Sequence, residues 1–264
     1  MEPNGIITLT TDFGTQDPYA GIMKGVILSV NPNARIVDIS HEIPAHDITN
    51  TAFTLLRAYR FFPHGTIHVV VVDPKVGGRR KNIAVRTNNY LFVGPDNGLF
   101  TFVFKKEPPQ EIREIINPPF ILSTISHTFH GRDVLAPCAG HLSRGENFSD
   151  IGPQLKNLQQ LRYPSVTREN NVLRGEVVMI DFFGNMITNI SEHIFFSFAG
   201  KQNVEISFAN ERFTQISKRY LDVPAGSPLV LFGSSGFMEI SINEGSASNY
   251  FMTPLGSPVS VRRL

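Results

Sequence analysis

A chain of 264 residues is long enough for one large domain or two ordinary ones, and 41% hydrophobic against 18% charged residues makes it globular rather than disordered. A formal net charge of +1 supplies no global field for nucleic acid or an anionic membrane. The single cysteine, Cys138, excludes an intrachain disulfide and a thiolate zinc site and suits a reducing, cytoplasmic setting; MEPNGIITLTTDFG has no basic leader, and no apolar run nears the ~20 residues of a membrane span.

Taken in chain order, Gly5–Thr11 is a short apolar strand that ends in Thr-Asp-Phe-Gly, leaving Asp12 at a strand end. Pro18–Val30 has helical spacing through Ile22, Val26 and Val30, and Asn31-Pro32-Asn33 stops it. Ala34–Ile39 is a second strand, and Asp47 is placed to cap a helix running to about Phe62. Ile67–Val72 is β-branched at every position but His68, which predicts a central strand buried on both faces. It stops at Asp73-Pro74, and Gly77-Gly78-Arg79-Arg80 follow. An acid, a flexible turn and a guanidinium thus lie within one turn of a strand end, where open α/β sheets place ligands. The βαβαβ order predicts an α/β fold: a doubly wound, mostly parallel sheet with helices on both faces. Asn82–Thr87 and Tyr90–Val93 read as a hairpin turning at Asn88-Asn89, and Gly94–Gly98 is a turn cluster carrying Asp96 and Asn97. Pro108–Pro119 reads as a polar connector, and Asp133 as the cap of a helix over Val134–Arg144, with His130 just before it.

Polar Gly145–Asn171 reads as structureless, so the expected division is an α/β domain over 1–150, a linker over 151–171 and a second domain over 172–264. In that second part short β-rich pieces alternate with turns, as a small β-barrel or sandwich requires, with polar clusters at Asp181–Asn185 and Gly233–Gly236.

The candidate chemistry gathers at Asp12, Asp73, Arg80, Asp96, Asn97, His130 and Arg132. Histidines are numerous, but none makes the helical His-x3-His metal spacing, and the GxGxxG, GxxxxGK[ST] and GxSxG patterns are missing. A carboxylate after a strand suits ribose hydroxyls, and Asp12 fits that task or the plainer one of a turn acid.

TDFG at Thr11–Gly14, VVDP with Gly77 and Arg80, GPDNG at Gly94–Gly98, FHGRD at Phe129–Asp133, DxFGN at Asp181–Asn185 and SGxxE at Ser235–Glu239 occur in one order. That set resembles the S-adenosyl-L-methionine (SAM) hydroxide adenosyltransferases, relatives of the fluorinase and chlorinase. The resemblance implies an N-terminal α/β domain, a C-terminal β-barrel and a homotrimer with sites between subunits. It also implies hydrolysis of SAM to adenosine and methionine with neither metal nor cofactor. The family's water-activating set falls on Asp73, Arg80 and His130, and its ribose acid on Asp12. Positions for the nucleoside and methionine ends fall on Asp181, Phe183, Asn185, Ser234 and Glu239. Phe129, Phe182 and Phe183 are candidates for a low-dielectric lining, or simply core. Against the family's usual pattern, Lys75 replaces a glycine, and Asp73 and Gly131 stand where the halogenases have a tyrosine and a halide-binding serine. Near His46 the halogenases carry a tryptophan, and this chain has none. These departures favour water over halide; a halogenase and a nucleoside-binding sensor without turnover are the rival readings. In the hydrolase reading Asp73 with Arg80 places the water and His130 accepts or relays its proton.

Overall fold

The computed structural model describes residues 2–163 and 165–264. They form two compact units, one ending at Leu161 and the other spanning Arg162–Leu264. The first unit is built on a six-stranded sheet of β1 (Ile6–Thr11), β2 (Arg35–Ser40), β3 (Ile67–Val71), β4 (Asn82–Arg86), β5 (Leu91–Pro95) and β6 (Glu111–Glu114), in the order β2-β1-β3-β5-β4-β6. All five residues of β3 are buried, as its apolar run predicts. Alternation along the strands feeds two cores. Val69, Val71, Leu91 and Val93 pack in one cluster with Met23 and Ile27 of α1 (Tyr19–Val30) and Leu142 of α4 (Ala136–Ser143). Val70, Ile83, Val85 and Phe92 pack in another with Leu55 of α2 (Ile48–Ala58) and Val103 of α3 (Thr101–Phe104). Helices therefore cover both faces, as expected.

The sheet is mixed, with most of its pairings parallel as expected and an antiparallel edge. Pairings β1–β2, β1–β3 and β3–β5 are parallel, whereas β4 runs antiparallel to both β5 and β6. The Asn88-Asn89 turn is too short for a crossover and forces the reversal; Thr87 N–H donates to the Tyr90 carbonyl across it at 3.0 Å. The connector expected at Pro108–Pro119 contains β6, a charged edge strand held by Arg86–Glu111 and Lys81–Glu114 ion pairs. Asp47 caps α2 as predicted, its carboxylate accepting the Asn50 N–H at 2.9 Å. The helix expected from Val134 instead opens as one π-helical turn over Gly131–Leu135, and Asp133 does not cap it. Its carboxylate turns to accept from the Ser126 N–H at 2.7 Å and from Arg132 Nε at 2.5 Å, pinning the loop before the turn. Burial raises the Asp133 pKa, but those bonds outweigh it and hold the carboxyl below its ordinary value. The stretch from Gly145 is not structureless either: Phe148 and Ile151 lie in the first core, and Leu155 N–H reaches the Ile112 carbonyl at 2.9 Å.

The second unit is an antiparallel, nearly closed barrel-like sheet. Its strands are β7 (Thr167–Glu169), β8 (Val172–Ile180), β9 (Met186–Ser191), β10 (Val204–Phe208), β11 (Glu211–Phe213), β12 (Pro228–Phe232), β13 (Phe237–Ile242) and β14 (Pro258–Arg263). β8 is long enough to serve both halves, pairing β14 through Val172–Glu176 and β9 through Val177–Ile180. One core, including Val177, Met186, Ile206, Ile240 and Val261, fills the interior. Two helices interrupt the strands, α5 (Glu192–Ala199) and α6 (Ala247–Phe251). The phenylalanine-rich α5 lies in a stretch that the sequence reading leaves without an element; Ser191 caps it by accepting the Ile194 N–H at 3.3 Å.

Candidate active site

β1 has β2 on one side and β3 on the other, so the chain order reverses there and a crevice opens at the strands' carboxyl ends. Asp12 directly follows β1 and Asp73 stands two residues beyond β3. Both line one cavity of about 250 Å³, together with His46, Phe129, His130 and Gly131. Phe13, Tyr19 and Phe129 form one wall, with ring centroids 5.3–5.7 Å apart.

The turn after β3 delivers the polar set. Val76 N–H bonds the Asp73 carbonyl at 3.2 Å, and Gly78 N–H bonds the Lys75 carbonyl at 3.0 Å, which folds Arg80 back onto Asp73. Their ion pair is under a tenth exposed on either side. Arg80 Nη2 also donates to His130 Nδ1 at 2.9 Å, and Asn82 Nδ2 to the same nitrogen at 3.2 Å. Arg80 Nη1 donates to Asn82 Oδ1 at 2.6 Å, which orients the amide. A guanidinium has no acceptor capacity, so Nδ1 is the accepting nitrogen and the neutral ring carries its proton on Nε2. Burial pushes the His130 pKa below its ordinary value, and the Arg80 cation adds to that; Asp73 and Asp133 oppose it.

Asp12 Oδ2 accepts the His46 N–H at 2.9 Å, and its side chain is only about a tenth exposed. That bond holds His46 at φ 68°, a left-handed conformation unusual for a non-glycine residue, with the ring at the cavity's exposed edge. Asn82 is the residue that sequence reading passes over. It opens β4 two positions after Arg80 and looks like an ordinary strand residue; the signal is that i and i+2 share a strand face. Asn97 stands outside this cavity, its Nδ2 donating to the Val72 carbonyl at 2.9 Å and fixing the exit of β3. Among the described residues no three His, Cys, Asp or Glu side chains are grouped to hold a metal ion.

In the second unit Asp181 organises its own loop. Oδ1 accepts the N–H groups of Phe183 and Asn185 at 3.0 and 2.9 Å, and Oδ2 accepts Asn185 Nδ2 at 3.0 Å. Phe182 and Phe183 project from that loop into solvent. Ser234 sits exposed in the turn between β12 and β13. β13 pairs with β9 so that Phe237 faces Ser191 and Ile240 faces Met186, which places Ser234 and the Asp181 loop at opposite ends of β9. Glu239 is buried, bonded by the Tyr220 hydroxyl at 3.2 Å, and packs over Gly233, where a Cβ would come within 1.7 Å of its carboxylate.

An α/β unit with acids at a switch-point crevice, joined in sequence to an antiparallel barrel-like unit, has the architecture of a two-domain enzyme. The chain belongs to the SAM hydroxide adenosyltransferase family: the model of the family's N-terminal domain matches residues 7–152 and that of its C-terminal domain residues 175–260. It is 34% identical to an (R)-S-adenosyl-L-methionine hydrolase of Thermus thermophilus, over 94% of this chain and 96% of that protein. A fluorinase of Actinoplanes sp. matches less closely, 29% identical over 71% and 72% of the two chains. The crystal structure of an uncharacterized conserved protein from Thermotoga maritima superposes with a TM-score of 0.91 at 36% identity, covering 98% of this chain and all of that one.

Proposed function

We propose that this protein hydrolyses S-adenosyl-L-methionine to adenosine and L-methionine by in-line attack of water on the ribose C5′. A C5′–O bond forms as the C5′–S bond breaks, sulfur keeps the electron pair and leaves as the neutral thioether of methionine, and water gives up one proton. The leaving group needs no acid, so the task of the site is to aim and deprotonate water. Asp12 receives the ribose hydroxyls. Asp73 accepts the water proton through Oδ1, whose one hydrogen bond among the described residues is from the Lys75 N–H at 3.4 Å, while Oδ2 is held by Arg80. His130, with its proton on Nε2, donates to the water oxygen rather than accepting from it, and Asn82 positions the ring. The aromatic wall of Phe13, Tyr19 and Phe129 lowers the local polarity, which favours a step in which hydroxide-like and sulfonium charges cancel. Asp181, Phe183, Asn185, Ser234 and Glu239 remain candidates for the nucleoside and methionine ends, and a homotrimer working in the cytoplasm is the assembly that family membership suggests.

The observation that carries this reading is the convergence of Asp12, Asp73 and His130 on one cavity. Purified, chelator-treated protein should convert SAM into equal amounts of adenosine and methionine, and Asp73→Ala should abolish it. The two sulfonium epimers, assayed separately, should differ, since the Thermus relative is named for the R form. No adenosine from either epimer would overturn the reading; 5′-halo-adenosine on adding halide would move it to the halogenase class.

A further inference from the structure

Behind the loop that carries Asp73 lies a second cavity of about 690 Å³, larger than the first and different in character. Its lining includes Lys75, Arg79, Arg80, Lys81 and Lys156 against only Asp73 and Asp96. Most of these charges already have partners. Asp73 is paired with Arg80, Lys81 Nζ reaches Glu114 at 2.6 Å, and Asp96 Oδ1 accepts the Gln159 N–H at 2.8 Å. Burial also raises the Asp96 pKa above its ordinary value. Lys75, Arg79 and Lys156 have no acidic partner among the described residues. Arg80, itself buried, has both terminal nitrogens engaged, yet its Nε has no acceptor.

We propose that this cavity binds a small phosphorylated anion, an oligophosphate or phosphate ester, through Lys75, Arg79 and Lys156. Three unpaired cations in a concavity suit the several oxygens of such a group, because charge-assisted hydrogen bonds to phosphate are the strong ones. The overall charge of +1 gives no basic face for a polymer, so a small ligand fits better than nucleic acid. Arg80 lines this cavity and bonds both Asp73 and His130, so an anion seated there competes with Asp73 for the guanidinium. Occupancy therefore slows hydrolysis without blocking the substrate cavity; this consequence, unlike the binding itself, rests on the function proposed above.

Inorganic pyrophosphate and tripolyphosphate are suitable probes, titrated calorimetrically into the whole protein without SAM and then added to the hydrolysis assay. Binding should weaken at least tenfold in the Arg79→Ala/Lys156→Ala variant, whose unliganded turnover stays within about twofold of the parent. In the parent, pyrophosphate should lower kcat with little change in KM. Absence of binding in the parent, or equal binding in the folded variant, overturns the site. Binding without inhibition, in a protein that does hydrolyse SAM, overturns the link to Arg80.

Discussion

In the proposed mechanism Asp73 and His130 divide the work by what each is bonded to. Asp73 has one oxygen committed to Arg80 and the other bonded only weakly, to the Lys75 N–H, so in that mechanism the water's proton is assigned to it. Asp73→Asn keeps the shape and removes the base; kcat should fall by about 10²–10⁴-fold with KM changed far less, read from adenosine release. His130 has its accepting nitrogen filled by Arg80 and Asn82, so it must stay neutral to work. Its pKa lies below the ordinary ~6.5 because of burial and then Arg80, so the ring remains neutral as pH falls through that value. A profile of kcat/KM should therefore be flat from about pH 8 to about 6.5, with any acid limb lower; a limb centred at or above 6.5 would contradict the assignment. At this scale much was legible. Asp12, Asp73 and His130 stand at strand or helix ends with a glycine within four residues, where local sequence advertises a site. Asn82 is hidden because its role depends on a histidine 48 positions away. The donor role proposed for His130 was hidden for the same reason.

Two tight elements hold these residues in place. Gly77 has φ 75°, and a Cβ there would meet the His127 carbonyl oxygen at 2.3 Å, so the turn bearing Asp73 fits only around glycine. The π-helical turn places Gly131 against Met23 Sδ, Phe129 Cε2 and Val71 Cγ1, each 3.2 Å from where a Cβ would stand. Gly131→Ser, the substitution towards the halogenases, should overpack this wall and cost about 1–3 kcal/mol in urea unfolding, without producing halide transfer. Gly77→Ala should be worse for activity, since the displaced loop carries Asp73 with it. Strands with apolar runs, such as β3 and β13, were readable from sequence. β6 was not, because a charged edge strand takes its stability from cross-strand ion pairs, and α5 was not, because a run of phenylalanines has no helical signature of its own.

The α/β unit places another histidine, His68, at its centre. It is fully buried, bonded to the Thr8 hydroxyl at 2.8 Å and stacked on Phe92, and burial lowers its pKa to about 3. The unfolded chain binds that proton near pH 6.5 and the folded chain does not, so the stabilisation is complete above about 6.5 and is lost progressively as pH falls towards about 3. Melting temperature should decline across that window, and less steeply in His68→Gln. The architecture of both units was legible as βαβ order followed by short strands. The antiparallel β4–β5 pair was legible too, as the hairpin at Asn88-Asn89, whereas the ordered segment from Gly145 to Leu161 was not, since it depends on contacts distant in sequence. For the molecule as a catalyst the deciding measurement is isotopic: SAM turned over in ¹⁸O-labelled water, with the products weighed by mass spectrometry. The account predicts adenosine carrying one ¹⁸O, at the 5′-hydroxyl, and unlabelled methionine; adenosine formed without the label would contradict it.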